Sequence, residues 1–194
     1  AVAPGMAVRV VAKSLPSLPL LRYAMDRLET RRLMVFDESM ALLATELPGA
    51  DLLAGKPLPV QAVAAFYAER GRAGAGDPGA RVQWLVDGAE RLSQYRELGR
   101  SLGVRVRVNI EIDVGLHRGG VPDVTTLQTM LRLIEQEPLL EWSGLMGYDA
   151  HTEKIPEVAG VRSRARDHAK QVYRQMVEHL QHSPLKAALA QATL

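Results

Sequence analysis

Residues 104–114 read Val-Arg-Val-Arg-Val-Asn-Ile-Glu-Ile-Asp-Val and run directly into Gly115-Leu116-His117-Arg118-Gly119-Gly120. Strand side chains alternate between two faces. Val104, Val106, Val108, Ile110, Ile112 and Val114 therefore share one face, and Arg105, Arg107, Asn109, Glu111 and Asp113 share the other. A half-wet antiparallel edge strand would alternate in the same way. Helical periodicity on both sides of the segment points instead to an α/β sheet, whose strands are covered on both faces. A polar row directed into a covered interior marks a site, whereas on an edge strand it is only a solvated face.

Working outward, strands are expected at residues 6–12, 33–36, 82–86 and 140–146 in addition to 104–114. Helices are expected at about 16–28, 60–70, 88–102, 124–135 and 158–180, from apolar residues at helical spacing. Residues 40–59 are broken by Pro48, Gly49, Gly55, Pro57 and Pro59 and read as loop with a short helical piece. Five strands with long helical connections make a parallel sheet with right-handed crossovers. Both a doubly wound sheet and a (β/α)8 barrel fit that pattern. The polar inner row favours the TIM-type barrel, whose lumen accepts polar side chains near the strand carboxyl ends. A closed barrel takes about 250 residues, so the expectation is an incomplete barrel of about five β/α units.

The 194 residues are 47% apolar and carry 24 basic against 22 acidic side chains, scattered without a Lys/Arg block. Nucleic acid is an unexpected partner for such a surface. Zero cysteines exclude disulfides and thiolate metal sites and suit a reducing compartment. No apolar run reaches the ~18 residues of a membrane span, and Ala-Val-Ala-Pro-Gly at the start lacks the features of a signal peptide. A cytoplasmic protein with no membrane partner is the expectation, and the missing initial Met suggests a piece of something longer.

Gly74, Gly76 and Gly79 match G-x-G-x-x-G in spacing, but they follow a helix and lead into a strand, the reverse of a dinucleotide site. Of His117, His151, His168, His179 and His182, only His179 and His182 share a helix face at i, i+3, and no carboxylate ligands accompany them, so no metal is assigned to this chain. Lys13 stands just past the first strand, at the end where parallel α/β folds place their chemistry. Desolvated in a cleft, a lysine there becomes a nucleophilic amine able to attack a carbonyl. In bulk water it is a loop lysine.

Val-Ala-Lys-Ser (11–14), Glu-Ile-Asp-Val-Gly-Leu-His-Arg-Gly-Gly-Val (111–121) and Ser-Gly-Leu-Met-Gly-Tyr-Asp-Ala-His (143–151) together resemble the pyridoxal-phosphate enzymes of the alanine racemase barrel type. Within that group the likeness is to the D-threonine aldolase and D-serine dehydratase-like branch. The resemblance implies that Lys13 holds pyridoxal 5′-phosphate as a Schiff base and later carries a proton at the substrate α-carbon. It implies that Arg118 contacts the phenolic oxygen of the cofactor, with Glu111 supplying the carboxylate that many racemases obtain from a carbamylated lysine. Tyr148 would lie against the pyridine, with His151 just beyond. Asn109 and Asp113 would support the site, Asp113 equally by fixing the turn at Gly115.

The resemblance further implies a lyase or racemase for a small D-amino acid, foremost retro-aldol cleavage of a D-3-hydroxy amino acid. It allows a homodimer. The remaining barrel strands, the phosphate loop and a C-terminal β domain carrying a divalent metal are expected in a longer polypeptide, without which residues 1–194 would be inactive. A non-catalytic pyridoxal-phosphate carrier and a cofactor-free α/β module are the competing readings.

Overall fold

The computed structural model describes residues 6–72, 79–156, 158 and 160–183. Within them six strands form one sheet in chain order: β1 (Val10–Val11), β2 (Arg32–Val35), β3 (Asp51–Ala54), β4 (Val82–Val86), β5 (Val106–Ile112) and β6 (Leu140–Gly147). All neighbouring pairs are parallel. Their connections carry α1 (Leu18–Arg27), α2 (Glu38–Ala44), α3 (Val60–Arg72), α4 (Ala89–Leu102) and α5 (Val124–Glu135); after β6 come a single turn, α6 (His151–Lys154), and α7 (Val161–Leu180). A doubly wound sheet reverses its strand order at a switch point. Here the order never reverses, so right-handed crossovers place the helices on one face and the sheet curls as part of a barrel.

The expected five strands are corrected to six. β3 lies inside the stretch read as loop, because four residues flanked by Pro48-Gly49 and Gly55-Lys56-Pro57 are too short to show alternation. Leu52, Leu53 and Ala54 are all buried, so both faces read as apolar. The helical piece before it is α2, begun by Asp37, whose carboxylate accepts the Met40 N–H at 2.7 Å. Asp123 caps α5 in the same way through the Thr126 N–H. The first strand is shorter than expected, since a 3-10 turn at Ala12–Ser14 follows Val11 at once. Gly74 and Gly76 fall outside the described residues.

The core lies between sheet and helices. Leu33, Val35, Leu52, Trp84, Val106, Val108, Ile110 and Ile112 are all buried with Met25, Phe66, Leu92, Tyr95, Leu127 and Met130 from the helices. Trp84 meets Phe66 edge-on at 5.2 Å and donates its indole N–H to the Tyr67 hydroxyl at 3.1 Å. The opposite, lumenal face carries Asp51, Gln83, Arg107, Asn109 and Glu111. Of the polar row expected at 105–113, Arg107, Asn109 and Glu111 lie within β5 and Arg105 and Asp113 flank it; Asp51 and Gln83 continue the row onto neighbouring strands.

Arg81 anchors the turn into β3. Its guanidinium donates to the carbonyls of Thr45, Leu47 and Ala50. Replacing it by Met leaves these acceptors unsatisfied, and Arg81→Met should lower the urea-unfolding free energy by about 1–3 kcal/mol. Unchanged stability would show that solvent satisfies this turn equally well.

Candidate active site

Glu111 is the penultimate residue of β5, points into the lumen and is 4% exposed. The chain then leaves the sheet and returns. The Val121 N–H donates to the Glu111 carbonyl at 2.7 Å, and the Asp113 N–H donates to the Val121 carbonyl at 3.0 Å. Residues 113–121 thus form a loop closed at its base. Asp113 shapes its interior: Oδ1 accepts the Gly115 and His117 N–H groups, both at 3.0 Å, and Oδ2 lies 2.7 Å from His117 Nδ1. His117 holds a left-handed φ of 52°, unusual for a residue with a side chain. At Gly120, φ 100°, a Cβ would stand 2.7 Å from the Asp113 nitrogen. The product of this folding is the position of Arg118. One of its terminal nitrogens is 3.3 Å from Glu111 Oε1, and its guanidinium carbon is 4.5 Å from the centroid of the Tyr148 ring, which comes just after β6.

Burial drives the Glu111 carboxyl above its ordinary range. Arg118 pulls it back, and the charges of Asp87 and Asp113 push it up again. For Asp113, burial also pushes upward, but hydrogen bonds from the His117 N–H, the His117 ring and the Gly115 N–H outweigh it and hold the carboxyl low. Arg118 is 51% exposed, so its outer edge faces the mouth while its inner edge neutralises the acid below.

Lys13 occupies the 3-10 turn after β1, on the rim formed by the strand carboxyl ends, as do Arg118 and Tyr148. Lys13 is exposed, with Nζ 4.0 Å from the centroid of the Phe36 ring. Asn109 is fully buried and donates to Gln83 Oε1 at 3.2 Å, while its own Oδ1 has no hydrogen-bond partner. Gln83 donates in turn to both Asp51 oxygens, at 2.9 and 3.1 Å, and Arg9 pairs with Asp51 at 2.7 Å. His151 lies behind the Arg118 loop: its Nε2 is 3.4 Å from where a Cβ on Gly115 would be, beside His168.

The structure thus brings Glu111, Arg118 and Tyr148 together, sets Lys13 on the same rim, and places Asn109 one step deeper. Phe36, Asp87, Gln83, Asp51 and Arg9 were missed. Phe36 and Asp87 could have been found by inspecting the last or next residue of each predicted strand. Asp51 was hidden with β3. The exposed edge of the Arg118 guanidinium, the Tyr148 ring face and the Lys13 amine on one rim fit an anionic heteroaromatic aldehyde such as pyridoxal phosphate, with the unpartnered Asn109 acceptor one step deeper.

The family model for the alanine racemase N-terminal domain matches residues 57–193. Among solved structures, the alanine racemase of Bacillus anthracis with bound L-Ala-P superposes with a TM-score of 0.71 at 19% identity, over 93% of this chain and 43% of that one. The D-threo-3-hydroxyaspartate dehydratase of Delftia sp. HT23 gives 0.76 at 19%, over 93% and 46%. The alanine racemase of Clostridium difficile 630 gives 0.72 at 15%, over 93% and 46%, in complex with cycloserine. The chain spans less than half the length of these structures. No curated protein sequence matches it. Among the described residues no helix is long and apolar enough to cross a membrane.

Glu111 holds a proton more tightly in the folded chain than in the unfolded one. Its effect on stability is therefore favourable below the ordinary carboxyl value of 4.5 and is lost as pH rises from there through the raised native value. Glu111→Gln should flatten the fall of melting temperature with pH in that window; a slope identical to wild type would contradict the assignment. Arg118→Leu leaves the buried acid without its partner and should cost roughly 1–3 kcal/mol at neutral pH, read from urea unfolding.

Proposed function

The chain belongs to the alanine racemase N-terminal domain family, and from that membership we propose that it serves a pyridoxal-phosphate enzyme acting on a D-3-hydroxy amino acid, cleaved between Cα and Cβ. The carrying observation is Arg118, held between Glu111 and Tyr148 on the rim that also bears Lys13. When bound, pyridoxal phosphate supplies an electron sink for charge developing at the substrate α-carbon. Lys13 would hold the cofactor through its amine and move a proton at that α-carbon. Arg118 would donate to the phenolic oxygen, and Glu111 would keep the guanidinium in place as its counter-charge. Tyr148 would border the ring, Asn109 would present its spare acceptor from below, and His151 would back the Arg118 loop.

The substrate class draws on the D-threo-3-hydroxyaspartate dehydratase, whose name specifies a D-3-hydroxy amino acid. That neighbour also favours a second reading, elimination of water. The remaining barrel strands, a C-terminal β domain with its divalent metal, and a homodimer belong to the same proposal for the whole polypeptide.

The test uses the native polypeptide with pyridoxal phosphate and a panel of D-3-hydroxy amino acids. Borohydride should fix a pyridoxyl group on Lys13. Release of glycine and an aldehyde identifies cleavage, release of a 2-oxo acid and ammonia identifies dehydration, and inversion alone identifies racemisation. Lys13→Ala should lower turnover by about 10²–10⁴-fold or more. Cofactor bound at Lys13 with no turnover of any D-amino acid would leave a carrier, and no cofactor at all would leave a structural module.

A further inference from the structure

Resting on that reading, we propose that Phe36 is a positioning residue that seats the amino group of Lys13, and that position 55 is glycine to make room for the ring. Three adjacent strand ends build this seat. The turn after β1 offers the amine, the residue after β2 offers the ring, and the residue after β3 offers space. Nζ stands 4.0 Å from the ring centroid, within the range where the π face attracts a cation. Lys13 is exposed and its stem is flexible, so the ring gives the amine a defined position on the rim.

Gly55 supplies an independent observation. Its φ lies outside the left-handed region, so backbone conformation does not demand glycine there. Space does. A Cβ would come within 2.6 and 2.7 Å of Phe36 Cζ and Cε1, and within 2.8 Å of Met34 Cγ. The Gly55 N–H donates to the Val35 carbonyl at 2.8 Å, which keeps this close approach in place. Condensation of Lys13 with an aldehyde forms an Nζ–carbon bond, and the aldehyde oxygen leaves as water with the two amine protons. The linked nitrogen is again a cation when protonated, so the ring face favours it after the bond has formed.

The experiment compares wild type, Phe36→Leu, Phe36→Tyr and Gly55→Ala in the native polypeptide. It reads the pyridoxal-phosphate dissociation constant from the visible absorbance of the lysine-linked cofactor, with peptide mapping after borohydride and a melting curve for each variant. Phe36→Leu should weaken binding about two- to fivefold, Phe36→Tyr should stay near wild type, and Gly55→Ala should imitate the leucine variant by displacing the ring. A merely space-filling ring would tolerate leucine, so equal affinity in wild type and Phe36→Leu overturns the proposal while the cofactor assignment stands. Wild-type affinity in Gly55→Ala likewise overturns the role of that glycine, and decides the matter if Phe36→Leu does not fold. Absence of a pyridoxyl group on Lys13 in wild type overturns the reading beneath both.

Discussion

One buried carboxylate with a half-exposed guanidinium for a partner governs the rim of this sheet. Glu111 lies where desolvation opposes its charge, and the two nearby acids, Asp87 and Asp113, oppose it further. Among the described residues Arg118 is the group that favours its ionisation, so the chain has to deliver that arginine accurately. The loop of residues 113–121 does so by closing its base on the Glu111 and Val121 backbones and filling its interior with the Asp113 carboxylate. An ion pair of this kind adds little to stability once desolvation is counted. Its effect is positional: the guanidinium is fixed on the acid side and presents its other edge to the mouth.

Deeper in the lumen a polar ladder solves a different problem. Arg9, just before β1, reaches across β2 to Asp51 of β3, and Asp51, Gln83 and Asn109 link β3, β4 and β5, each hydrogen-bonding to the next. Burial pulls the Arg9 guanidinium below its ordinary value, and Asp51 opposes that shift. The ladder depends on register. Leu53 pairs with Gln83, and Gln83 with Arg107; slipping either pair by one residue would turn a polar side chain into the helix-facing core. The apolar face can accept several hydrophobic alternatives, whereas the polar face accepts one alignment. The ladder ends at Asn109, whose free Oδ1 lies one step along the same face from Glu111.

Much of this was legible in the chain because long elements carry strong periodicity. Alternation along 104–114 identified the lumenal row of β5, and the Asp-x-Gly-x-x-Arg pattern located the loop that carries Arg118. β3 escaped because a four-residue strand buried on both faces has no alternation to read. The interval between the second and third expected strands, residues 37–81, was nonetheless too long for one β/α connection, and that length was the available signal. Lys13 falls at the carboxyl end of β1, as its place after the first expected strand implies, in a 3-10 turn that begins as soon as the strand ends. The Arg9–Asp51–Gln83 ladder was out of reach, since it joins residues as far as 42 positions apart and is created only by the strand order.

Strand order places every carboxyl end on one rim, but it does not bring a given pair of side chains together. For Arg118 and Tyr148 that depends on an irregularity between β5 and β6. Val108 pairs with Trp142 and Asn109 with Gly144, so Ser143 is one residue extra, and its hydroxyl is tied to the Val108 carbonyl at 2.9 Å. A bulge of this kind re-aims the side chains beyond it. With it, Ile112 pairs with Gly147, and Tyr148 comes immediately beyond the paired strands. Without it, Ile112 would face Met146, and Tyr148 would be carried one residue further along its strand relative to the loop, away from the guanidinium it now covers. The contact between cation and ring at the mouth is thus set several residues earlier, inside the sheet, by a serine whose side chain satisfies a backbone carbonyl.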